Sequence, residues 1–329
     1  MKTALITGAL GQDGSYMAEH LLSLDYEVWG TIRVNPRDVE EAVNNYVKGV
    51  HYMYADMRDE VSLETVIRKC FPDEIYNFAG QVFVPTSWER PAETLDINTS
   101  GFARLLHVVE RVYPESRVYQ ASSSEMYGNM LGSEGIVKLD ELSTMRPVSP
   151  YGVSKYAAHK LAEVYREKGM YVVSGICFNH ESPRRGDEMV TRKITKCFAK
   201  GKVFGKSTLR LGNVLAKRDW GFAGDYVKAM HLMLQKDIPE DFVIGTGKAY
   251  SVNDFVYYAA QAVGNSDNIE LQVNCPEFSR PNELFTLVAD ASRAWTVLGW
   301  KPKTSFEQLV NMMVEADIER YQRMRCAAI

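Results

Sequence analysis

A glycine-rich turn stands near the start of the chain, between an apolar segment and an amphipathic one. Residues 3–7 are mostly apolar, Gly8, Gly11 and Gly14 follow with the spacing GxxGxxG, and apolar positions recur at helical spacing over Tyr16–Leu24. A strand, a glycine turn and a helix in this order are typical of the first unit of a doubly wound parallel sheet. The turn lets the backbone approach a pyrophosphate at the positive end of the helix, so this feature predicts a nucleotide-binding α/β fold.

Short apolar runs and amphipathic segments continue to alternate through the first half of the chain. This is the pattern of β-α-β units whose strands are buried on both faces. Right-handed units of this kind build a Rossmann-type doubly wound parallel sheet, with the ligand crevice beyond the carboxyl ends of the strands. The predicted strands are Thr3–Thr7, Glu27–Ile32, His51–Tyr54, Glu74–Phe78, Arg117–Ala121 and Tyr171–Phe178. The predicted helices between them are Tyr16–Leu24, Val61–Cys70 and Thr99–Val112.

The regular pattern weakens after Asn179, where a polar and basic tract begins and short elements with glycine and proline follow. We therefore predict two lobes. Residues 1–178 would form the nucleotide-binding domain, with the chain returning to it near 213–240 and 286–297. Residues 179–329 would form mainly a smaller, partly interleaved α/β substrate-binding lobe. The sequence has no internal repeat or flexible linker, so we expect the two lobes to pack closely.

Charge and cysteine content exclude several classes of protein. The 329 residues include 38 Lys and Arg against 42 Asp and Glu, a formal net charge of -4, whereas a nucleic-acid binder normally needs a basic face. The five cysteines are odd in number and have no CxxC pair, which predicts neither a disulfide framework nor a metal site. With no signal-peptide pattern and no apolar run long enough to span a bilayer, we expect a cytoplasmic protein without a membrane partner.

The end of the second predicted strand bears on the choice of cofactor. In an NAD site an Asp or Glu there binds the free ribose 2′-hydroxyl, but this chain has Arg33. A guanidinium suits a 2′-phosphate through charge-assisted hydrogen bonds, so we expect NADP rather than NAD. Asp56, after the third strand, is placed to contact the adenine, although it could instead cap the helix that follows.

Two polar clusters farther along the chain predict the catalytic residues. Ser123 and Glu125 follow the fifth predicted strand, and Tyr151 and Lys155 are four residues apart on one face of a helix. A lysine ammonium in that position lowers the pKa of the phenol and can hold the ribose of the cofactor. The phenolate can then take a proton from a substrate hydroxyl while hydride leaves the same carbon.

Glu125 distinguishes a dehydratase from a simple dehydrogenase. A dehydrogenase needs the hydroxyl donor and the Tyr–Lys pair, whereas a dehydratase needs a second base that removes the C5 proton once a C4 ketone has made it acidic. A carboxylate two residues beyond Ser123 fits that task. The alternative is a structural carboxylate that lies at a helix start and interacts with the helix dipole.

These clusters and the second half of the chain resemble one family. The glycine turn, the serine-bearing strand end and the Tyr–Lys pair are similar to those of extended short-chain dehydrogenases/reductases, and residues 77–81 match the stretch that lines their cofactor. Within that superfamily the chain resembles the GDP-mannose 4,6-dehydratases over nearly its whole length. The matching blocks are Gly11–Ser15, Ser149–His159, Asn179–Gly186, Val190–Ile194, Gly212–Asn213 and Ala216–Gly221.

The resemblance implies roles for particular residues. The implied catalytic residues are Ser123, Glu125, Tyr151 and Lys155. The implied cofactor-binding residues are Gly8, Gly11, Gln12, Asp13, Gly14, Arg33, Asp56, Met57, Phe78, Ala79, Gly80, Tyr151, Lys155, His180 and Arg185. The implied substrate-binding residues are Ser87, Glu125, Asn179, Lys193, Arg218, Arg280 and Glu283. Arg184 and Arg192 are interpreted as cofactor or interface contacts, and no metal ligand is implied.

The cationic members of this set agree with the chemistry of a nucleotide sugar. Two linked phosphates need several fixed cations, which Lys193, Arg218 and Arg280 could supply even on a chain of net negative charge. Glu283 could accept hydrogen bonds from the sugar or the base. The alternative is that the basic tract over residues 184–196 is merely a solvated face.

The resemblance also implies the reaction. A hydro-lyase of this family converts GDP-D-mannose to GDP-4-keto-6-deoxy-D-mannose, and NADP is recycled within each turnover. Tyr151 removes the O4 proton as hydride leaves C4, Glu125 takes the C5 proton as water leaves C6, and hydride returns to C6. Three alternatives stay open: a dehydratase of another GDP-sugar such as a GDP-heptose, a 4-reductase or 4-epimerase, and a nucleotide-sugar-binding protein without turnover.

Several positions depart from the family pattern. Ser123 stands where the family usually has threonine, and Val82-Phe83 replaces Ser-His beside the predicted sugar site. The loop after Arg33 lacks the serine-rich arginine segment through which family tetramers contact a neighbouring cofactor. Amphipathic helices over Thr99–Val112 and Tyr151–Lys168 fit a four-helix dimer interface, so the expected assembly is a homodimer or a homotetramer.

Overall fold

Strands and helices alternate as the sequence pattern predicts. The computed structural model describes residues 1–34, 45–129, 137–264, 267–278 and 286–327. Its strands are β1 (Thr3–Thr7), β2 (Glu27–Ile32), β3 (His51–Tyr54), β4 (Glu74–Asn77), β5 (Arg117–Ser123), β6 (Lys138–Leu139), β7 (Val172–Cys177), β8 (His180–Glu181), β9 (Ser207–Arg210), β10 (Lys217–Arg218), β11 (Gly221–Phe222), β12 (Phe242–Ile244), β13 (Tyr250–Ser251), β14 (Ile269–Gln272) and β15 (Thr286–Ala289). All six predicted strands are present, and the first three have the predicted bounds.

The helices likewise include every predicted one. They are α1 (Gln12–Leu22), α2 (Glu60–Cys70), α3 (Val84–Glu89), α4 (Pro91–Leu95), α5 (Gly101–Val112), α6 (Pro150–Glu167), α7 (Val190–Phe204), α8 (Ala223–Leu234), α9 (Val252–Val263), α10 (Ser292–Val297) and α11 (Phe306–Ala327). A π-helical turn over Asp96–Ser100 joins α4 to α5. The helix predicted from Thr99 therefore begins as an irregular turn.

Seven parallel strands form the central sheet, in the order β12-β7-β5-β4-β1-β2-β3. β1 pairs with β2 from Thr3↔Glu27 to Thr7↔Thr31, and it pairs with β4 on its other edge. The chain runs outward from β1 to β3, returns to β4, and then runs outward on the other side to β12. The crevice of a doubly wound sheet lies at such a reversal, beyond the carboxyl ends of β1 and β4.

Helices cover both faces of this sheet, because its strands are apolar on both sides. On one face Met17 of α1 and Met230 of α8 are buried in a common core. On the other face Val66 of α2, Leu105 of α5 and Ala158 of α6 form a second core. Burial of each large apolar side chain stabilises the fold by about 1.5–3 kcal/mol. None of the helices in the described ranges has an apolar stretch of the length needed to cross a bilayer.

The residues after β7 build a further core and also return to the sheet. α7, α9 and α11 enclose Phe198, Phe255 and Leu309. β10, β13 and β15 join β6 in a four-stranded sheet. α8 packs against α1, and β12 pairs with β7 in the central sheet. The division of the chain into lobes at residue 178 stays a prediction.

A buried ion pair ties α7 to α11. Arg192 Nη1 donates to Asp317 Oδ2, and both side chains are buried. Arg192 Nε also donates to the carbonyl oxygen of Arg185 at 3.1 Å. The interpretation of Arg192 as a cofactor or interface contact is wrong, because its guanidinium is enclosed by its own chain.

Candidate active site

The glycine turn after β1 closes tightly against the end of β4. Gly8 has a φ of +67°, and a Cβ there would lie 3.0 Å from the backbone N and Cα of Ala79. A Cβ on Gly14 would lie 2.4 Å from the carbonyl oxygen of Gly8. Because no side chain fits at Gly8 or Gly14, backbone alone lines the turn at the start of α1, as close approach to a phosphate requires.

Thr7 joins the ends of β1 and β4 beside that turn. Its hydroxyl donates to Asn77 Oδ1 at 2.6 Å and accepts from the backbone N–H groups of Phe78 and Ala79, both at 3.1 Å. Asn77 Nδ2 donates to Gln120 Oε1 on β5, also at 2.6 Å. These hydrogen bonds fix the backbone after β4, which the sequence predicts to line the cofactor, at the carboxyl edge of the sheet.

The first turn of α6 lies against the segment that follows β5. The Ser149 hydroxyl caps this helix by accepting from the backbone N–H of Gly152 at 3.0 Å. A Cβ on Gly152 would lie 2.8 Å from the carbonyl oxygen of Glu125. This close packing brings Tyr151 next to Ser123 and Glu125, so the two predicted catalytic clusters form one site.

Tyr151 is a buried phenol whose pKa is raised by its surroundings. Burial raises its pKa, a hydrogen bond with Ser123 lowers it, the charge of Glu125 raises it, and the charge of Arg185 lowers it, with a resulting pKa of about 12. A hydroxyl, a carboxylate and a guanidinium therefore all act on one buried phenol. That is the arrangement expected where a proton is moved to or from a ligand.

Lys155 is buried one helical turn after Tyr151. Its Nζ donates to the carbonyl oxygen of Ala121 at 2.9 Å and lies 5.9 Å from the centroid of the Tyr151 ring. Burial lowers the pKa of Lys155 to about 8. The ammonium is thus held between β5 and the catalytic tyrosine, where it can also donate to a ligand hydroxyl.

Ser123 and Glu125 mark the point where β5 ends. The Ser123 hydroxyl accepts from the backbone N–H of Glu125 at 3.2 Å and begins a 3₁₀ turn of only three residues. The neighbouring Ser122 faces the other way, with its hydroxyl 3.4 Å from His159 Nδ1. A three-residue turn has too small a dipole to require a carboxylate. The geometry therefore favours a chemical role for Glu125 over the structural alternative.

The π-helical turn before α5 supports the catalytic helix. Asn98 Nδ2 donates to Ser154 Oγ and to the carbonyl oxygen of Gln81, both at 3.0 Å, and Asn98 Oδ1 accepts from the Gln81 N–H at 2.8 Å. Asn98 is not among the residues predicted from the sequence. An amide just before the apolar pattern of α5 was the available signal, but such an amide is also typical of an ordinary helix cap.

Asp13 and His180 form a second polar pair at the other side of the glycine turn. His180 Nε2 lies 2.9 Å from Asp13 Oδ2, His180 Nδ1 lies 2.8 Å from the carbonyl oxygen of Phe178, and the imidazole stacks on Tyr226. Burial lowers the pKa of His180, but the charge and hydrogen bond of Asp13 outweigh it and the net shift is upward. Burial raises the pKa of Asp13, and His180 outweighs that, so the net shift is downward. Both ring nitrogens face acceptors, which favours an imidazolium.

Two arginines follow this pair, and they lie in different surroundings. Arg185 Nε is 3.2 Å from Glu181 Oε2 and is buried without a hydrogen bond to any described residue. The positive charge of Arg185 lowers the pKa of Asp13 and the pKa of Tyr151. Arg184 stacks on a ring of α1, 4.2 Å from the Tyr16 centroid. Arg185 thus faces the crevice, whereas Arg184 packs against α1, where it also pairs with Glu19.

The ends of β2 and β3 form the outer part of the crevice. Arg33 is exposed directly after β2. Asp56 accepts two side-chain hydrogen bonds from Arg58, at 3.1 and 2.7 Å. The Met57 side chain is buried in the apolar core, where it contacts the first residue of α5, Gly101.

The predicted substrate residues are only partly brought together. Asn179 follows β7 and accepts from the Gly221 N–H at 2.9 Å through its carbonyl oxygen. Lys193 Nζ lies 4.6 Å from the centroid of the Phe278 ring, and Arg218 is buried on β10. Ser87 is fully buried and donates to the carbonyl oxygen of Val84 at 2.6 Å. Arg280 and Glu283 lie outside the described residues.

The crevice offers a nucleotide cofactor both a backbone cradle and an open hydrogen-bond acceptor. Gln81 Nε2 donates to the carbonyl oxygen of Phe83 at 2.7 Å. Gln81 Oε1 is buried and has no hydrogen-bond partner in the described part of the chain. A Cβ on the preceding Gly80 would lie 3.9 Å from Lys155 Nζ, so the backbone just before Gln81 lies close to the predicted catalytic lysine. Buried polar atoms of this kind are normally satisfied, and a bound ligand would supply the donor.

One cluster of possible metal ligands lies between α6 and the residue before β12. His159, Glu163 and Asp241 place ligand atoms within 4.8 Å of one another. Both Glu163 oxygens already accept from Lys160 at 2.8 Å, and Asp241 accepts from Arg166. Because both carboxylates have a cationic partner, we interpret this cluster as an ion-pair network.

Comparison with known proteins gives consistent matches over nearly the whole chain. A family model described as GDP-mannose 4,6 dehydratase matches residues 5–313. GDP-mannose 4,6 dehydratase 1 of Arabidopsis thaliana is 42% identical over 342 residues, which cover 99% of this chain and 92% of the relative. GDP-mannose 4,6 dehydratase of Homo sapiens is 39% identical over 343 residues, which cover 96% of this chain and 91% of the relative.

Solved structures with this architecture are also similar. A UDP-glucose 4-epimerase of Thermus thermophilus, solved with NAD, superposes with a TM-score of 0.83 at 25% identity and covers 96% of this chain and 98% of that chain. A dTDP-glucose 4,6-dehydratase of Bacillus anthracis, also solved with NAD, gives a TM-score of 0.80 at 22% identity and covers 98% of both chains. These matches confirm the predicted doubly wound fold.

Proposed function

Because the chain belongs to the GDP-mannose 4,6-dehydratase family, we propose that it is a hydro-lyase that converts GDP-D-mannose to GDP-4-keto-6-deoxy-D-mannose. The observation that carries this proposal is the position of Glu125. Its carboxylate acts on the Tyr151 phenol, at the carboxyl edge of the sheet, beside Ser123. A 4-reductase or 4-epimerase has no need of a second base there.

The proposed cofactor is NADP. Gly8, Gly11 and Gly14 would hold its pyrophosphate against the start of α1. Arg33 would bind the 2′-phosphate, since no acidic side chain stands at the end of β2. Lys155 would hold the ribose hydroxyls. When bound, the nicotinamide would supply an acceptor for the C4 hydride in its oxidised form and a hydride donor for C6 in its reduced form, and the positive charge of the oxidised ring would favour the phenolate of Tyr151.

The residues of the chain would carry the proton transfers. Tyr151 would take the O4 proton, assisted by the hydrogen bond from Ser123. Glu125 would then take the C5 proton, which the C4 ketone has acidified, and pass it to the C6 hydroxyl, which leaves as water. The proton that Tyr151 took from O4 would return to C5 when hydride adds to C6, so that both protons are accounted for. The reaction is redox-neutral overall, so no external reductant is consumed.

Cationic side chains in the second half of the chain support a nucleotide-sugar substrate. Lys193 and Arg218 would bind the diphosphate, together with Arg280, while Asn179, Ser87 and Glu283 would contact the sugar or the base. We further propose the division into residues 1–178 and 179–329, a cytoplasmic location, and a homodimer or homotetramer built on α5 and α6. Val153 and Val164, both on α6, are exposed as such an interface requires.

The direct test is incubation of the purified protein with GDP-mannose and mass spectrometry of the product. Loss of one water without added NADPH is the expected result. A product of unchanged mass would indicate an epimerase, and a stoichiometric need for NADPH would indicate a reductase. Parallel incubation with a GDP-heptose tests the alternative substrate, and the absence of any product from either would favour a binding protein.

Glu125→Gln tests the proposed base. The variant should keep its cofactor and still exchange hydride at C4, yet it should release little 4-keto-6-deoxy product, a loss of about 100-fold or more in kcat. Glu115→Gln, at an exposed position before β5, is a matched control and should turn over normally. Normal turnover by Glu125→Gln would exclude this carboxylate as the base.

A further inference from the structure

Arg58 lies against the Asp56 carboxylate at the outer end of the crevice. Its Nε donates to Asp56 Oδ1 at 3.1 Å, and its Nη2 donates to Asp56 Oδ2 at 2.7 Å. The backbone N–H of Arg58 donates to the same Oδ1 at 2.9 Å. This is a two-point pairing between planar groups, which fixes the orientation of the guanidinium. The Asp56 side chain is 12% exposed, whereas that of Arg58 is 43% exposed.

Strand pairing brings Arg33 alongside this pair. β2 and β3 run in parallel with Ile32 opposite Tyr54, and the Ala55 N–H donates to the carbonyl oxygen of Ile32 at 3.1 Å. Arg33 therefore follows β2 at the level of Ala55, the residue before Asp56. The hydrogen bond from Arg58 is the main cause of the lowered pKa of Asp56, and the charge of Arg33 contributes to the same shift. Two guanidinium groups thus act on one carboxylate.

The charge balance at this edge decides what can bind there. An uncompensated carboxylate beside Arg33 would repel a 2′-phosphate. Arg58 uses two of its five N–H donors on Asp56, and the other three make no hydrogen bond to a described residue. Asp56 is the main acidic neighbour of Arg58; Glu93 and Asp96 act on it more weakly, and Asp96 accepts from Arg104 at 2.8 Å.

We propose that Arg58 is a second residue that selects NADP over NAD. Held in place by Asp56, it neutralises that carboxylate and presents its free donors, together with Arg33, to the 2′-phosphate of the cofactor. This proposal rests on the proposed use of NADP and names a residue beyond the end of β2. A single charged hydrogen bond at such a site typically changes affinity by about 10-fold to 100-fold.

Cofactor binding to the nucleotide-free protein tests this selectivity without reliance on turnover. Dissociation constants for NADP⁺, NAD⁺, 2′,5′-ADP and 5′-AMP would be measured by calorimetry for the wild type, Arg58→Met and Arg33→Met. We expect the wild type to prefer NADP⁺. Arg58→Met should weaken NADP⁺ and 2′,5′-ADP by about 10-fold or more and change NAD⁺ and 5′-AMP by less than about 3-fold.

Two control variants and the ratio of NADP⁺ to NAD⁺ affinity distinguish the possible outcomes. Arg68→Met removes an exposed guanidinium whose one ion pair within the described ranges is with Glu64 on α2, and it should leave all four constants unchanged. Arg58→Lys keeps the charge but loses the planar fork, so it should lie between the wild type and Arg58→Met. An Arg58→Met protein that loses NADP⁺ and NAD⁺ equally would overturn the proposal, because Arg58 would then only position Asp56. A wild type that binds NAD⁺ as tightly as NADP⁺ would instead refute the proposed cofactor, whatever Arg58 does.

Discussion

Replacement of Lys155 by methionine should make the protein more stable at neutral pH while it abolishes catalysis. Lys155 is buried, and burial lowers its pKa from the usual 10.5 to about 8. At about 1.4 kcal/mol per pKa unit, a charged Lys155 costs roughly 3 kcal/mol of folding free energy at pH 7. Methionine removes that cost but leaves the Ala121 carbonyl without its donor, a loss of about 1 kcal/mol. The expected net gain is about 2 kcal/mol.

The gain should depend on pH in one direction. The folded-state pKa of Lys155 is lowered, so the folded state releases the proton first as the pH rises. The cost of the buried charge is complete below about pH 8, falls between about pH 8 and 10.5, and vanishes above the unfolded pKa. The stability advantage of Lys155→Met should therefore shrink by roughly 2 kcal/mol between pH 7 and about pH 9.5.

Urea unfolding of the nucleotide-free wild type and variant at both pH values measures this difference. Lys160→Met is a matched control on the same helix, because the Lys160 ammonium is exposed and pairs with Glu163. It should change the free energy of unfolding by less than about 1 kcal/mol at either pH. A Lys155→Met protein that is less stable than the wild type at pH 7, by an amount independent of pH, would refute the argument that burial of this ammonium is costly.

Two further substitutions test polar pairs that hold the site in place. Asp13→Asn removes the partner that raises the pKa of His180, so NMR should show a lower pKa for that imidazole, and an unchanged His180 titration would contradict the assignment. The raised folded-state pKa stabilises the protein only at pH values below it, so the stability deficit of the variant should shrink as the pH rises through that pKa. Asp317→Asn removes the buried carboxylate that pairs with Arg192 and leaves only the exposed Asp187, at 3.4 Å, so it should lower the free energy of unfolding by about 3–5 kcal/mol in urea. Arg192→Met/Asp317→Leu should cost less, and equal losses would show that the charge is not the cause.

The strands and the first helices could be predicted because their signals are local. A short apolar run of four to six residues between turn residues fits a strand better than a helix because of its length, and β1, β2 and β3 have the predicted bounds. The glycine turn was predictable for a steric reason, since Gly14 tolerates no Cβ beside the Gly8 carbonyl oxygen. The proximity of Tyr151 and Lys155 was predictable because helical periodicity alone places them on one face.

The partners of charged residues could not be predicted, because they depend on segments far apart in the chain. Arg192 lies in a basic tract that suggests a ligand site, yet its guanidinium pairs with Asp317, 125 residues away. For Arg192 the sequence offers several carboxylates, and only the packing of helices decides between them. The contact between Asp56 and Arg58 is different, because the two residues are only two positions apart; Asp56 was expected at the adenine or at a helix cap, and its pairing with the nearby guanidinium was not predicted.

The site also shows why cofactor and substrate binding should be coupled in this protein. The start of α1 contacts the segment that leads into the second half of the chain: Gln12 Nε2 donates to the carbonyl oxygen of His180 at 3.0 Å, and Ser182 Oγ donates to Gln12 Oε1 at 2.8 Å. Asp13 adds its pairing with His180. A pyrophosphate bound at the glycine turn would therefore restrain the same segment that precedes α7 and Lys193. The same hydrogen bonds therefore fix the conformation of the chain at the cofactor site and at the proposed diphosphate site.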